Sequence, residues 1–112
     1  MNRNDTDRSS AAERLASLIG LCRRANRLGC GVEAVTDAIK AGRARLVLLS
    51  SDASERTKKQ ITDKCAFRHV PLAALPLTAE RLGHACGIPA MSACAVLDPE
   101  LARAVQALAE SL

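Results

Sequence analysis

GVEAVTDAIKAGRARLVLLSSDAS, residues 31–54, passes from helix to strand to helix start within 24 positions. Val32, Val35 and Ile39 recur at helical spacing, with Glu33, Thr36, Asp37 and Lys40 opposite them, which predicts an amphipathic helix from Val32 to about Ala41. Gly42 fits the left-handed residue that stops such a helix. RLVLLS, residues 45–50, is then apolar without alternation, the pattern of a central strand covered on both faces. SSDAS closes the stretch, where Asp52 or Ser54 can cap the next helix.

Upstream, Leu15, Leu18, Ile19, Cys22 and Ala25 mark one face of a first helix over about Ala12 to Leu28, with Arg14, Arg24 and Arg27 off that face. A short Gly29–Cys30–Gly31 connection leads into the second helix. Downstream, Ala53, Thr57, Ile61 and Cys65 stand four residues apart on a third helix. VPLAAL, residues 70–75, is the next short strand. Thr78 caps a fourth helix that ends at Gly87, with Leu77 and Leu82 spaced as a hydrophobic staple. The loop GIPAM precedes the strand SACAVL, residues 92–97. Asp98–Pro99 is a cap followed by proline at the first helical position, and the last helix buries Leu101, Val105, Leu108 and Leu112. Such alternation of helices and strands predicts an α/β layer fold with helices on both faces of one small sheet.

A length of 112 residues fits one compact domain, with residues 1–11 as a disordered tail or linker and 12–112 as the single folded unit. No apolar run approaches a membrane span, and the polar start MNRNDTDRSSAAE lacks the apolar core of a signal peptide, so a cytoplasmic protein with no membrane partner is expected. The net charge of +4 is unevenly spread. Residues 1–49 carry nine Lys/Arg against five Asp/Glu, residues 50–69 five against three, and residues 70–112 two against four. That bias favours an anionic partner on one side, although an ordinary solvated surface gives the same composition. Phe67 is the sole aromatic residue, so base stacking on an aromatic platform has almost nothing to work with.

Catalysis finds little support. There is no glycine-rich dinucleotide or phosphate loop and no nucleophile elbow, and the carboxylates mostly suit helix caps and first turns. The five cysteines, Cys22, Cys30, Cys65, Cys86 and Cys94, are odd in number and form no CxxC pair, so neither disulfides nor a metal site is expected and they read as small core residues. No cofactor and no catalytic residue are expected. A binding surface can be assembled instead. The GCG turn leaves the first N–H groups of the Val32 helix without partners, its glycines admit another backbone, and Lys40 lies further along that helix. A plain tight turn, with Gly31 as cap and Glu33 near the positive helix end, accounts for the same residues.

GVEAVTDAIKAGRARLVLLSSDAS, followed by TKKQITDKC, VPL, LGHACGIP and ACAVLD, resembles the kink-turn RNA-binding superfamily of ribosomal proteins L-seven-Ae and L-thirty-e, most closely its bacterial YlxQ-type branch. The resemblance spans about residues 14–97. It implies a three-layer α/β/α sandwich with a four-stranded mixed sheet. It also implies binding of structured RNA, rRNA or mRNA, by a non-catalytic monomer of the translation or transcription machinery. The implied contacts are the N-terminus of the second helix and the loop before the last strand. Archaeal members start that helix with Gly-x-Asn-Glu and a Lys four residues after the Asn, side chains that read the guanines of tandem sheared G·A pairs. By position, Gly31 keeps the glycine, while Glu33 stands for the Asn, Ala34 for the Glu and Asp37 for the Lys. Ile88, Pro89 and Ala90 match the apolar loop that packs on the flipped-out nucleotide. Arg27, Gly31, Val32, Glu33, Ala34, Asp37, Lys40, Ile88, Pro89 and Ala90 are therefore the candidate RNA-binding residues. Arg23, Arg24, Lys58 and Lys59 are the fallback. A carboxylate accepts from a guanine amino group but cannot donate to its O6. Glu33 and Asp37 thus favour an alternative, an interaction or regulatory domain that keeps the fold without kink-turn recognition. The RNA-binding domain of an RNA-modifying enzyme is a further alternative. The polar N-terminal segment also fits a chain that follows a small YlxR-like domain in one polypeptide.

Overall fold

The computed structural model describes residues 3–112, with side chains from Ala11 onward. Nine elements follow one another: α1 (Arg3–Arg24), β1 (Leu28–Cys30), α2 (Val32–Lys40), β2 (Leu46–Leu49), α3 (Glu55–Arg68), β3 (Leu72–Ala74), α4 (Ala79–Ala85), β4 (Ala93–Val96) and α5 (Pro99–Glu110). Of the segment 1–11 expected as a tail or linker, Met1 and Asn2 lie outside the described residues, and α1 begins within it at Arg3.

The strands form one mixed sheet in the order β1-β4-β2-β3, with β4 antiparallel to both neighbours and β3 parallel to β2. Side chains along a strand alternate between faces, and here both faces are covered. Leu46, Leu48, Cys94 and Val96 join Leu15, Ile19, Leu82 and Val105 in a core beneath α1, α4 and α5. Val47, Leu49, Ala93 and Ala95 join Val35, Ile39, Ile61 and Cys65 beneath α2 and α3. That gives the expected three-layer sandwich. Each large aliphatic side chain so buried contributes about 1.5–3 kcal/mol.

Four helices stop by one device. A left-handed residue turns the chain, and the next N–H donates to the carbonyl five residues back. Asn26 (φ 59°) sets Arg27 N–H on Cys22, Gly42 (φ 73°) sets Arg43 on Ala38, His69 (φ 58°) sets Val70 on Cys65, and Gly87 (φ 75°) sets Ile88 on Gly83, each at 2.9 Å. Three expectations are corrected by this. The first helix ends at Arg24 rather than Leu28, and Ala25 is exposed instead of buried. Leu28 opens β1. Val70 belongs to the stop of α3, so β3 begins only at Leu72.

The remaining caps separate two candidates. Ser54 Oγ accepts from Thr57 N–H at 3.1 Å and caps α3. Asp52 Oδ1 instead accepts from Ala79 N–H at 2.8 Å, so it caps α4 together with Thr78 and ties the exit of β2 to that helix. That hydrogen bond from Ala79 is the main cause holding the Asp52 carboxyl below its ordinary value. Asp98 accepts from Leu101 N–H at 2.8 Å, with Pro99 at the first turn of α5.

Candidate nucleic-acid interface

Gly31 ends β1 and starts α2. Its φ of 94° and ψ of 162° belong to a region that residues with a Cβ avoid, while a Cβ built there would meet nothing within 4 Å. The glycine therefore serves the turn, and the space over the helix start stays open. No side chain caps α2, so its first N–H groups have no side-chain partner within the fold. Gly31 N–H donates to Ala93 O at 2.9 Å, which fixes this helix start against the beginning of β4.

The loop before β4 lies at the same end of the sheet. Ile88 N–H donates to Gly83 O at 2.9 Å, and Met91 N–H donates to Ala79 O at 3.0 Å. The loop rests directly on α4. A Cβ on Gly83 would fall 2.5 Å from Ala90 Cα and 2.8 Å from Ile88 O, so only glycine admits the loop there. Ile88 is half-buried against the core, whereas Pro89 and Ala90 are exposed. The α4 helix is itself pressed onto α1, because a Cβ on Gly20 would lie 2.7 Å from Ala85 O.

The candidate residues divide into two groups. Gly31, Val32, Glu33, Ala34 and Asp37 occupy the first turns of α2, and Ile88, Pro89 and Ala90 form the loop beyond the same edge. Glu33 and Asp37 are exposed, four residues apart, on one side of α2. Lys40 and Arg27 are carried away from them. Lys40 ends the nine-residue α2, about 12 Å from its start. Arg27 precedes β1, and its carbonyl accepts from Leu97 at the far end of β4. Of the fallback residues, Lys58 faces Glu55 at 3.5 Å and Lys59 faces Asp63 at 3.3 Å.

Charge near the loop comes from residues outside the candidate set. Arg81 and His84 line a cavity beside Ile88 and Pro89. A second cavity, between α1 and α4, is lined by Arg24 together with Arg81 and His84. Arg81 is paired with Glu13. Their spacing on α4, three residues apart, was the available signal.

Cys22, Cys30, Cys86 and Cys94 converge at this end. Cys30 and Cys94 are direct cross-strand partners, and burial, with the Cys30 thiol beside it, pushes the Cys86 thiol up to about 11. All five cysteines are free, and among the described residues no group of His, Cys, Asp or Glu side chains is arranged to hold a metal ion. Among the described residues no helix is long and apolar enough to cross a membrane.

Comparison with known proteins agrees with this geometry. Residues 13–106 match the ribosomal protein L7Ae/L30e/S12e/Gadd45 family. The chain is 41% identical over 81 residues to the RNA-binding protein YlxQ of Bacillus subtilis (strain 168), covering 72% of this chain and 80% of that protein. It is 39% identical over 59 residues to the RNA-binding protein YlxQ of Enterococcus faecium, covering 53% and 57%. A solved structure of a protein with unknown function from Bacillus halodurans C superposes with a TM-score of 0.81 at 36% identity, over 86% of this chain and 96% of that one. The Giardia lamblia 15.5kD RNA binding protein shares the fold, with a TM-score of 0.71 at 19% identity over 91% and 87%. A match through nearly the whole sandwich, with the helix start and the seated loop at one end of it, leads to one conclusion: the chain belongs to the ribosomal protein L7Ae/L30e/S12e/Gadd45 family, in its bacterial YlxQ-type branch.

Proposed function

We propose that this chain is a non-catalytic RNA-binding protein of the cytoplasmic translation or transcription machinery, acting as a monomer. It holds structured, kink-turn-like RNA between the start of α2 and the Ile88–Ala90 loop. The observation that carries this reading is the open, uncapped helix start at Gly31, at the same end of the sheet as a loop held rigidly on Gly83. Backbone N–H groups at such a start bind phosphate or base acceptors, and the apolar tip of the loop covers an unstacked base. Arg24, with Arg81 paired to Glu13, brings guanidinium groups to the loop side. Glu33 and Asp37 set the specificity, because they accept hydrogen bonds from guanine amino groups and repel the phosphate backbone.

The test is titration of labelled structured RNA, with and without a kink-turn, over a range of salt. Binding at low salt with a log–log slope of roughly −2 to −5 is expected, as a few phosphate contacts would give. Failure to bind either RNA at low salt overturns the proposal. It would favour the protein-interaction role to which the paired carboxylates of α2 are also suited.

A further inference from the structure

Among the described residues, the end of the sheet opposite Gly31 gathers six of the Lys/Arg side chains that have no ion-pair partner. Arg45 N–H donates to Val96 O at 2.8 Å and Leu97 N–H to Arg27 O at 2.9 Å, which places Arg27 and Arg45 together there. The stops of α2 and α3 bring Lys40, Arg43, Arg68 and His69 to the same end.

Three adjoining cavities run across it. The first, about 290 Å³, lies between Lys40 of α2 and Lys64, Phe67 and Arg68 of α3. The second, about 300 Å³, shares Ile39 and Arg68 with it and continues past His69 to Arg45. The third shares Arg45 and reaches Arg43 and Arg27. Six Lys/Arg side chains thus line the run, against Asp63 and Asp98. Both carboxylates are already engaged. Asp63 lies 3.3 Å from Lys59, and Asp98 caps α5. None of the six cations has an ion-pair partner among the described residues.

Phe67 stands in this setting with 79% of its surface exposed. The Arg68 guanidinium lies 5.8 Å from the ring centroid, on one face, and leaves the rest of the ring to solvent. Leu21 and Leu112, also exposed, line none of the three cavities. A lone flat ring among cations offers an apolar protein partner little area. It matches a stacked base flanked by phosphates, the pairing used by proteins that grip single strands.

We propose that this basic end is a second RNA-binding surface, which takes a single-stranded segment with one base stacked on Phe67 and its phosphates along Lys64, Arg68 and Arg45. From the function proposed above it borrows only the choice of RNA over DNA; the residues and the RNA structure are different.

The test uses the full chain and a fluorescein-labelled ten-nucleotide oligouridylate, read by anisotropy at 50 mM salt, with kink-turn RNA titrated in parallel. Phe67→Ala should weaken oligouridylate binding about tenfold, and Phe67→Trp should restore it, since stacking needs a ring rather than that ring. Arg45→Glu with Arg68→Glu should weaken it further and flatten the salt slope by about two. The kink-turn RNA should lose far less than the oligouridylate in every variant. All three sites are exposed, so thermal melts should coincide with wild type. The proposal is overturned if wild type ignores oligouridylate, or if Phe67→Ala binds as well as wild type. Sedimentation showing a wild-type dimer that Phe67→Ala dissolves would overturn it as well, in favour of a protein interface. Loss of kink-turn binding alone strikes the α2 site and leaves this surface standing.

Discussion

The two ends of α2 differ in how they are built. At Gly31 the backbone is fixed closely: a strand bond to Ala93, an open helix start and a loop that tolerates no atom beyond glycine at position 83. Its exposed side chains on α2 are the carboxylates Glu33 and Asp37. At Lys40 the backbone does nothing unusual beyond its turns, but six basic side chains and an exposed ring meet. Recognition by shape and hydrogen bonds suits the first end. Attraction by charge and stacking suits the second. On the two proposals above, about 12 Å of helix would separate two tasks that many RNA-binding surfaces combine.

Glycine substitutions measure the first contrast, and they should have the largest effect on stability. Gly83→Ala places a Cβ against backbone that cannot swing aside, and a loss of about 2–3 kcal/mol is expected by urea denaturation. Gly42→Ala, at the other end, meets nothing within 4 Å and carries only the left-handed strain, about 1 kcal/mol. Equal losses would mean that the Ile88–Ala90 loop yields, and the rigid end would not be rigid.

The thiols sharpen the same point chemically. Thiolate is the reactive form, and Cys86 is raised from 9.0 to about 11, so at pH 8 its alkylation by iodoacetamide should run about a hundredfold slower than for an ordinary thiol. The rate should climb about tenfold per pH unit until the pH reaches that value. The linkage has a definite sign. A folded-state value above the unfolded one means that stability is intact below pH 9.0 and is lost as the pH rises towards about 11. Rapid labelling at pH 8, followed by mass spectrometry, would show that this end opens.

Reversing the charge on α2 tests whether its first turns read RNA. Glu33→Asn with Asp37→Lys replaces two acceptors by an amide that both donates and accepts and by a cation. Kink-turn affinity should rise about tenfold or more, since one base-edge contact is worth roughly 1–3 kcal/mol. Ile88→Ala in the same background should weaken binding again. Unchanged affinity would transfer the structured-RNA site away from α2 and erase the division of labour. The smallest effect belongs to the basic end. His69→Gly relieves a left-handed histidine and should stabilise the fold by about 0.5–1 kcal/mol in the same urea titration.

Much of this architecture is legible in residues 31–54. The apolar run of β2 and the spacing of α2 dictate burial on two faces, and Gly42 announces its turn. Asn26 and His69 perform the same turn silently, because nothing local distinguishes a left-handed Asn or His from an ordinary surface residue. That is why α1 reads four residues too long. The strand order is not local either; it came from family resemblance, since pairing of β1 with β4 joins residues more than sixty apart. In the site, Gly31 is readable as special backbone, whereas the 88–90 loop is legible only through the family resemblance. Arg27 and Lys40 were grouped with them because they are near in sequence. A helix advances 1.5 Å and a strand about 3.3 Å per residue, which takes both side chains to the other end. Phe67 was the reverse case. A single aromatic counts for little in composition, and only its exposure among cations gives it a use.

The strand order carries a consequence for synthesis on the ribosome. β4 sits inside the sheet, yet it is the last strand to be made. Until residue 96 has emerged, β1 has no neighbour and β2 presents one bare edge, so the growing chain displays unpaired strands that invite association with other nascent chains. The Gly31–Ala93 bond also forms only at that moment. The protein therefore gains the start of α2 as a finished surface late and all at once, when β4 slots between two strands already waiting for it.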